Sequence, residues 1–138
     1  MKKLIPIAPF LFLILMSCEV TVVEEPIPLH DSRNFFVGYY DVEEYDKTSG
    51  SYSEYSFNIV KSARYPHTIF IRNFYGVGIE VVAEVSGYDI YIPEQDVDGF
   101  HIEGSGFIDG RELVLDYAVH DHLDSYSPTR YYEVVAWR

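Results

Sequence analysis

Ile102-Glu103-Gly104-Ser105-Gly106-Phe107-Ile108-Asp109-Gly110-Arg111-Glu112-Leu113-Val114-Leu115-Asp116-Tyr117 is the stretch that decides the fold. Ile102, Gly104, Gly106 and Ile108 fall on one face of an extended chain. Leu113, Leu115 and Tyr117 do the same after the turn, with Glu112 and Asp116 on the opposite face. A period of two is the mark of a half-buried strand. Asp109-Gly110 between the two runs predicts a type I′ hairpin. Gly104-Ser105-Gly106 is no phosphate cradle, because a strand and a turn follow it where such a loop needs a helix N-terminus. These glycines are expected to allow a bulge or a close approach to an aromatic.

The same rhythm extends both ways. Phe100 starts the first strand of this hairpin early, and Val119 and His120 prolong the second. Pro93 to Gly99 reads as a polar loop, with Asp98-Gly99 as a turn. Within it, Asp96-Val97-Asp98-Gly99 holds only a fragment of calcium-loop chemistry, without the remaining ligands. Before that loop, Tyr88, Ile90 and Ile92 alternate, joined through Ser86-Gly87 to Ile79, Val81, Ala83 and Val85. Thr68 to Phe74 is a further strand, closed by Tyr75-Gly76. Tyr55, Phe57 and Ile59 alternate ahead of Pro66. Phe36, Gly38, Tyr40 and Val42 form the first strand, followed by the turn Lys47 to Ser51. After His120 come a loop at Leu123 to Pro128 and a final strand from Tyr131 to Trp137. Leu29 to Asn34 suits a short turn of helix. The total is eight short strands with short connections, hence antiparallel neighbours. The chain is read as all-β, an eight-stranded up-and-down meander barrel that removes sheet edges. A two-sheet β-sandwich is the alternative.

The amino-terminal segment is of another kind. Lys2 and Lys3 precede an uncharged apolar run from Leu4 to Met16, the layout of a secretory signal. It is shorter than the roughly 20 apolar residues of a membrane span. Leu15-Met16-Ser17-Cys18 follows, with the one cysteine of the chain, which can form no internal disulfide. This resembles the lipobox of bacterial lipoproteins, and the resemblance implies cleavage before Cys18 and acylation of it with palmitate-type chains. Two or more chains hold a protein firmly to a membrane. The expected organisation is a signal peptide over 1–17, a lipidated acidic, Pro-rich tether over 18–34 and a β-domain over 35–138. Glu19, where retention at the inner membrane uses Asp, points to the outer membrane, with the periplasmic and surface faces both open.

Removing the signal takes away two of the 10 basic residues and none of the 22 acidic ones. So acidic a surface repels nucleic acid, whose binding needs phosphate neutralisation. With Gly38-Tyr39-Tyr40 at the first strand, the lipobox at Cys18 and the Ile102–Tyr117 hairpin, the chain resembles small lipocalin-like envelope lipoproteins of gut bacteria. Gly38-x-Tyr40 stands where lipocalins open with Gly-x-Trp. That resemblance implies a barrel floor closed by the aromatic under a late arginine, Arg130 or Arg138.

Chemistry-bearing constellations are sparse. On a strand His120 and His122 face one way. They are weak metal candidates that need a further ligand such as Asp116, His101 or Asp124. Asp41, Glu43, Glu44 and Asp46 read as a solvated edge, and no elbow or triad motif organises the Ser and His residues. No enzyme activity and no cofactor are implied. The excess of tyrosine, 13 residues, suits strands and a ligand-contacting rim. Tyr40, Tyr55, Tyr117 and Trp137 are the candidate contact residues. The expectation is a membrane-anchored, non-enzymatic binding module for an apolar molecule, a glycan or a protein. The alternative is an accessory subunit of an outer-membrane complex.

Overall fold

A computed structural model describes residues 30–138. Cys18, the signal segment and most of the tether lie outside the described residues. The chain enters through a 3₁₀ turn, Ser32–Phe35, capped by the Asp31 side chain on the Arg33 N–H. Eight strands follow: β1 (Gly38–Asp46), β2 (Tyr52–Lys61), β3 (Thr68–Phe74), β4 (Ile79–Ser86), β5 (Asp89–Val97), β6 (Phe100–Asp109), β7 (Glu112–Asp121) and β8 (Arg130–Trp137). Each pairs antiparallel with the next, and β8 pairs back onto β1 to close one barrel. One continuous sheet excludes the sandwich. The architecture is a closed eight-stranded up-and-down barrel, consistent with the lipocalin-like fold that the resemblance implies.

The expected faces hold. Ile102 and Ile108 of β6, Leu113, Leu115 and Tyr117 of β7, and Val81, Ala83 and Val85 of β4 all point into the core. Eight strands enclose a space just wide enough for side chains to fill. Here Tyr40, Phe57, Phe74 and a set of Ile, Leu and Val residues fill it, most of them fully buried. Gly104 and Gly106 belong to this packing. A Cβ on Gly106 would lie 2.0 Å from the Val114 carbonyl oxygen, and one on Gly104 would lie 2.6 Å from Tyr117 Cβ. They serve close approach of β7, not a bulge.

Three sequence expectations are corrected. Pro93 to Gly99 is not a loop, because β5 runs through Pro93 to Val97. A register shift between Ile92 and Gln95 absorbs the missing proline N–H. There the Gln95 amide replaces a strand peptide: it accepts from the Val82 N–H at 2.9 Å and donates to the Val82 carbonyl at 2.8 Å. The hairpin after β6 has Gly110 and Arg111 as its central residues, with positive φ at Gly110 alone. That fits a glycine-first turn of type II′. The type I′ pattern falls instead on Asp98 (φ 48) and Gly99 (φ 86) between β5 and β6. Finally, Glu44 and Asp46 are no solvated edge. They continue the inward face of Tyr40 and Val42 and are only 3% and 5% exposed.

Candidate functional site

Both ends of the barrel are stoppered. At the entry end Tyr40 donates its hydroxyl to the Phe36 carbonyl at 2.7 Å. The Arg138 guanidinium lies 5.7 Å over the Tyr40 ring and donates to the Val37 carbonyl at 2.6 Å. Of the two arginines that the resemblance offered for this place, it is Arg138 that occupies it. Burial pushes the Tyr40 phenol up to about 12, against a small opposing pull from Arg138. Gly38, at φ 142, leaves room for the Arg138 stem, which a Cβ would meet at 3.4 Å. Beside this floor, Arg33 ties the 3₁₀ turn to the β2–β3 connection through the carbonyls of Ser62 and Tyr65, at 2.9 and 3.0 Å.

At the opposite end, four tyrosines surround one carboxylate. Tyr55 donates to Glu44 Oε2 at 2.7 Å, and Tyr117 donates to the same oxygen. Tyr132 stacks on Tyr117, with ring centres 5.2 Å apart, and shares a 2.6 Å hydroxyl contact with Tyr75. Tyr75 takes a positive φ of 59°. A bulky residue there carries strain of about 1 kcal/mol or more, accepted because the turn must aim its ring across the mouth. Outside them Asp46 accepts from Arg130 at 3.1 Å and from the backbone N–H groups of Thr48 and Ser49. Burial raises the Glu44 carboxyl, and the two phenol bonds offset part of that rise. Burial would also raise Asp46, but bonds from Ser49, Thr48 and Arg130 outweigh it and lower the group. Tyr55, Tyr117 and Tyr132 are all pushed up, burial being the largest cause. Burial keeps these phenols protonated near neutrality, and the hydrogen-bonded cluster forms a plug at this end of the barrel.

The candidate contact residues are thus dispersed. Tyr40 lies in the floor, and Tyr55 and Tyr117 lie in the plug. Trp137 is on the outer surface, donating to Glu112 at 3.2 Å. One concavity of about 350 Å³ opens at the plugged mouth, against Glu44, Asp46, Tyr55, Tyr75, Arg130 and Tyr132; the others are on the outer surface. One is an open groove of about 330 Å³ on the outer face of β5 to β8. Tyr91 and Tyr131, each more than half exposed, line it, over a floor that includes Gly104, Ser105 and Ala118, with Glu103, Asp116 and Lys47 around it. Lys47 bridges to Asp116 at 2.7 Å. Sequence reading passed over Tyr91 and Tyr131; their places on polar faces, opposite buried neighbours, were the available signal.

Of the partners expected for His120 and His122, His101 comes close to His122, while Asp116, Asp124 and His120 itself fall outside the group gathered there. His101 is the register partner of His120, and its ring lies 5.6 Å from that of His122. Asp96 accepts from His101 Nδ1 at 2.7 Å, and Glu94 lies 2.9 Å from His101 Nε2. The Asp96 hydrogen bond raises His101 most; slight burial opposes it and Glu94 adds to the rise. No helix among the described residues is long and apolar enough to cross a membrane. No protein-family model matches the chain, and neither does any curated protein.

Proposed function

We propose that the protein is a lipid-anchored, non-enzymatic binding module of the bacterial envelope that engages its ligand on the outside of the barrel. The observation that carries this reading is the contrast between a stoppered, side-chain-filled interior and an open, aromatic-lined groove. A filled core leaves no room for an enclosed apolar molecule. The groove suits a glycan: tyrosine rings offer flat faces to sugar rings, and Glu103 and Asp116 offer acceptors to hydroxyls. From β5 to β8 is three strand spacings, about 14 Å, so the groove spans a short run of sugars.

Attachment through lipid on Cys18 puts this module at the outer membrane. Changing Cys18→Ser is expected to move the protein from the membrane fraction to the soluble one. The ligand reading is tested by titrating the full chain, in detergent, against a panel of soluble envelope and dietary oligosaccharides. Tyr91→Ala and Tyr131→Ala should each weaken binding at least tenfold, while Tyr39→Ala, an exposed tyrosine elsewhere, should not. Binding that ignores both groove tyrosines would refute the reading.

A second reading, an accessory subunit of an outer-membrane complex, draws on Leu123 and Tyr126. They stand 82% and 96% exposed in the β7–β8 loop, where a protein partner would cover them. A crosslinker placed at 126 in intact cells should then capture one defined partner.

A further inference from the structure

We infer that Asp96, His101 and His122 form a binding site for a zinc-class divalent transition-metal ion. The donor atoms of the three residues all lie within 4.8 Å of one another. Asp96 Oδ1 is 2.7 Å from His101 Nδ1 and 3.9 Å from His122 Nε2. Tetrahedral zinc, bound at about 2.0–2.2 Å, sets its ligand atoms about 3.3 Å apart. The two observed separations straddle that value, so shifts within the reach of side-chain torsions seat an ion.

The backbone holds the three ligands rigidly. Asp96 and His101 are directly paired across the β5–β6 ladder. His122 follows β7 and donates its N–H to the Gly99 carbonyl at 2.8 Å, which clips it to the Asp98-Gly99 turn. All three side chains sit on the outer surface, where an ion can enter. Two imidazoles and one carboxylate make three protein ligands with a position left open, a set suited to zinc and its neighbours. Calcium and magnesium want oxygen throughout.

Two further contacts fit the same chemistry. Glu94, 2.9 Å from His101 Nε2, is the outer carboxylate that metal-bound histidines ordinarily have. With the ring hydrogen on Nε2 held by Glu94, an ion that displaces the Nδ1 proton now given to Asp96 takes the Nδ1 lone pair. Beside the cluster, His120 lies edge-on to His122 at 5.2 Å, and its buried Nδ1 has no hydrogen-bond partner among the described residues. Buried polar atoms are rarely left so.

The test is calorimetric titration of the EDTA-treated full chain, in detergent, with zinc chloride. One ion per chain is expected. His101→Ala, His122→Ala and Asp96→Asn should each weaken it at least tenfold, and Glu94→Gln about tenfold. His67→Ala, at an exposed histidine remote in sequence from the three ligands, should leave it unchanged. A second measurement needs no variant: zinc should shift the imidazole NMR signals of His101 and His122 and not that of His67. Absence of one-to-one binding would overturn the inference. So would equal affinity in the His101→Ala/His122→Ala double variant, or imidazole signals of His101 and His122 unmoved by zinc.

Discussion

Replacing Tyr117 by Phe removes one of the two phenol bonds to Glu44 while keeping the ring against Phe74 and Tyr132. A hydrogen bond to a charged group contributes about 2 kcal/mol, and one between neutral groups about 1 kcal/mol. The cost should therefore depend on the charge of Glu44. Burial raises its carboxyl in the folded protein above the unfolded value, so the folded state holds the proton more tightly. Glu44 accordingly favours folding most below the ordinary carboxylate range, and that stabilisation is lost as pH rises through the folded value. At pH 4 Tyr117→Phe should cost about 1 kcal/mol, and at pH 8, with the group ionised, about 2 kcal/mol. For a domain of this size the latter lowers Tm by about 8 °C. Urea unfolding at the two pH values, followed by circular dichroism, measures both. In a Glu44→Gln background the pH dependence of the Tyr117→Phe cost should vanish, which a double-mutant cycle isolates. A cost equal at pH 4 and pH 8, or one that keeps its pH dependence without Glu44, refutes the account of the plug.

Two other outcomes follow from the packing. Gly106→Ala puts a Cβ 2.0 Å from the Val114 carbonyl and must displace β7, at a cost of about 3 kcal/mol; Gly110→Ala, which meets nothing within 4 Å but holds a positive φ, should cost only about 1 kcal/mol, and urea midpoints will rank them. Gln95→Leu removes both bonds to the Val82 peptide and should cost about 1–2 kcal/mol; hydrogen exchange at the Val82 amide should accelerate, and unchanged protection would show that the glutamine does not complete the sheet.

The barrel was legible in the sequence because its outer face is wet and its inner face dry, which writes a period of two into strands such as Ile79–Ser86. The places where reading stopped are those where another interaction overrides that rule. Pro93 looks like a terminator, yet a bulge and a glutamine side chain carry the sheet across it. Glu44 and Asp46 look solvated by composition, although they share the face of Tyr40 and Val42; two tyrosines on Glu44, and Arg130 with two backbone N–H groups on Asp46, make their burial tolerable. The metal-like cluster was half visible. His120 and His122 stood out by spacing, but Asp96 reaches His122 only because β5 continues past the proline. Register between distant strands is not written in any local pattern, so the outward places of Tyr91 and Tyr131 were readable one by one but the groove they share was not.

The pairing of β1 with β8 joins residues about 90 positions apart, and it has a kinetic side. Every other strand pair can form as soon as its hairpin is made, whereas this one must wait for the whole intervening chain. The ring therefore locks last, and β8 has to leave the ribosome before it can lock at all. Contacts this distant in sequence slow folding.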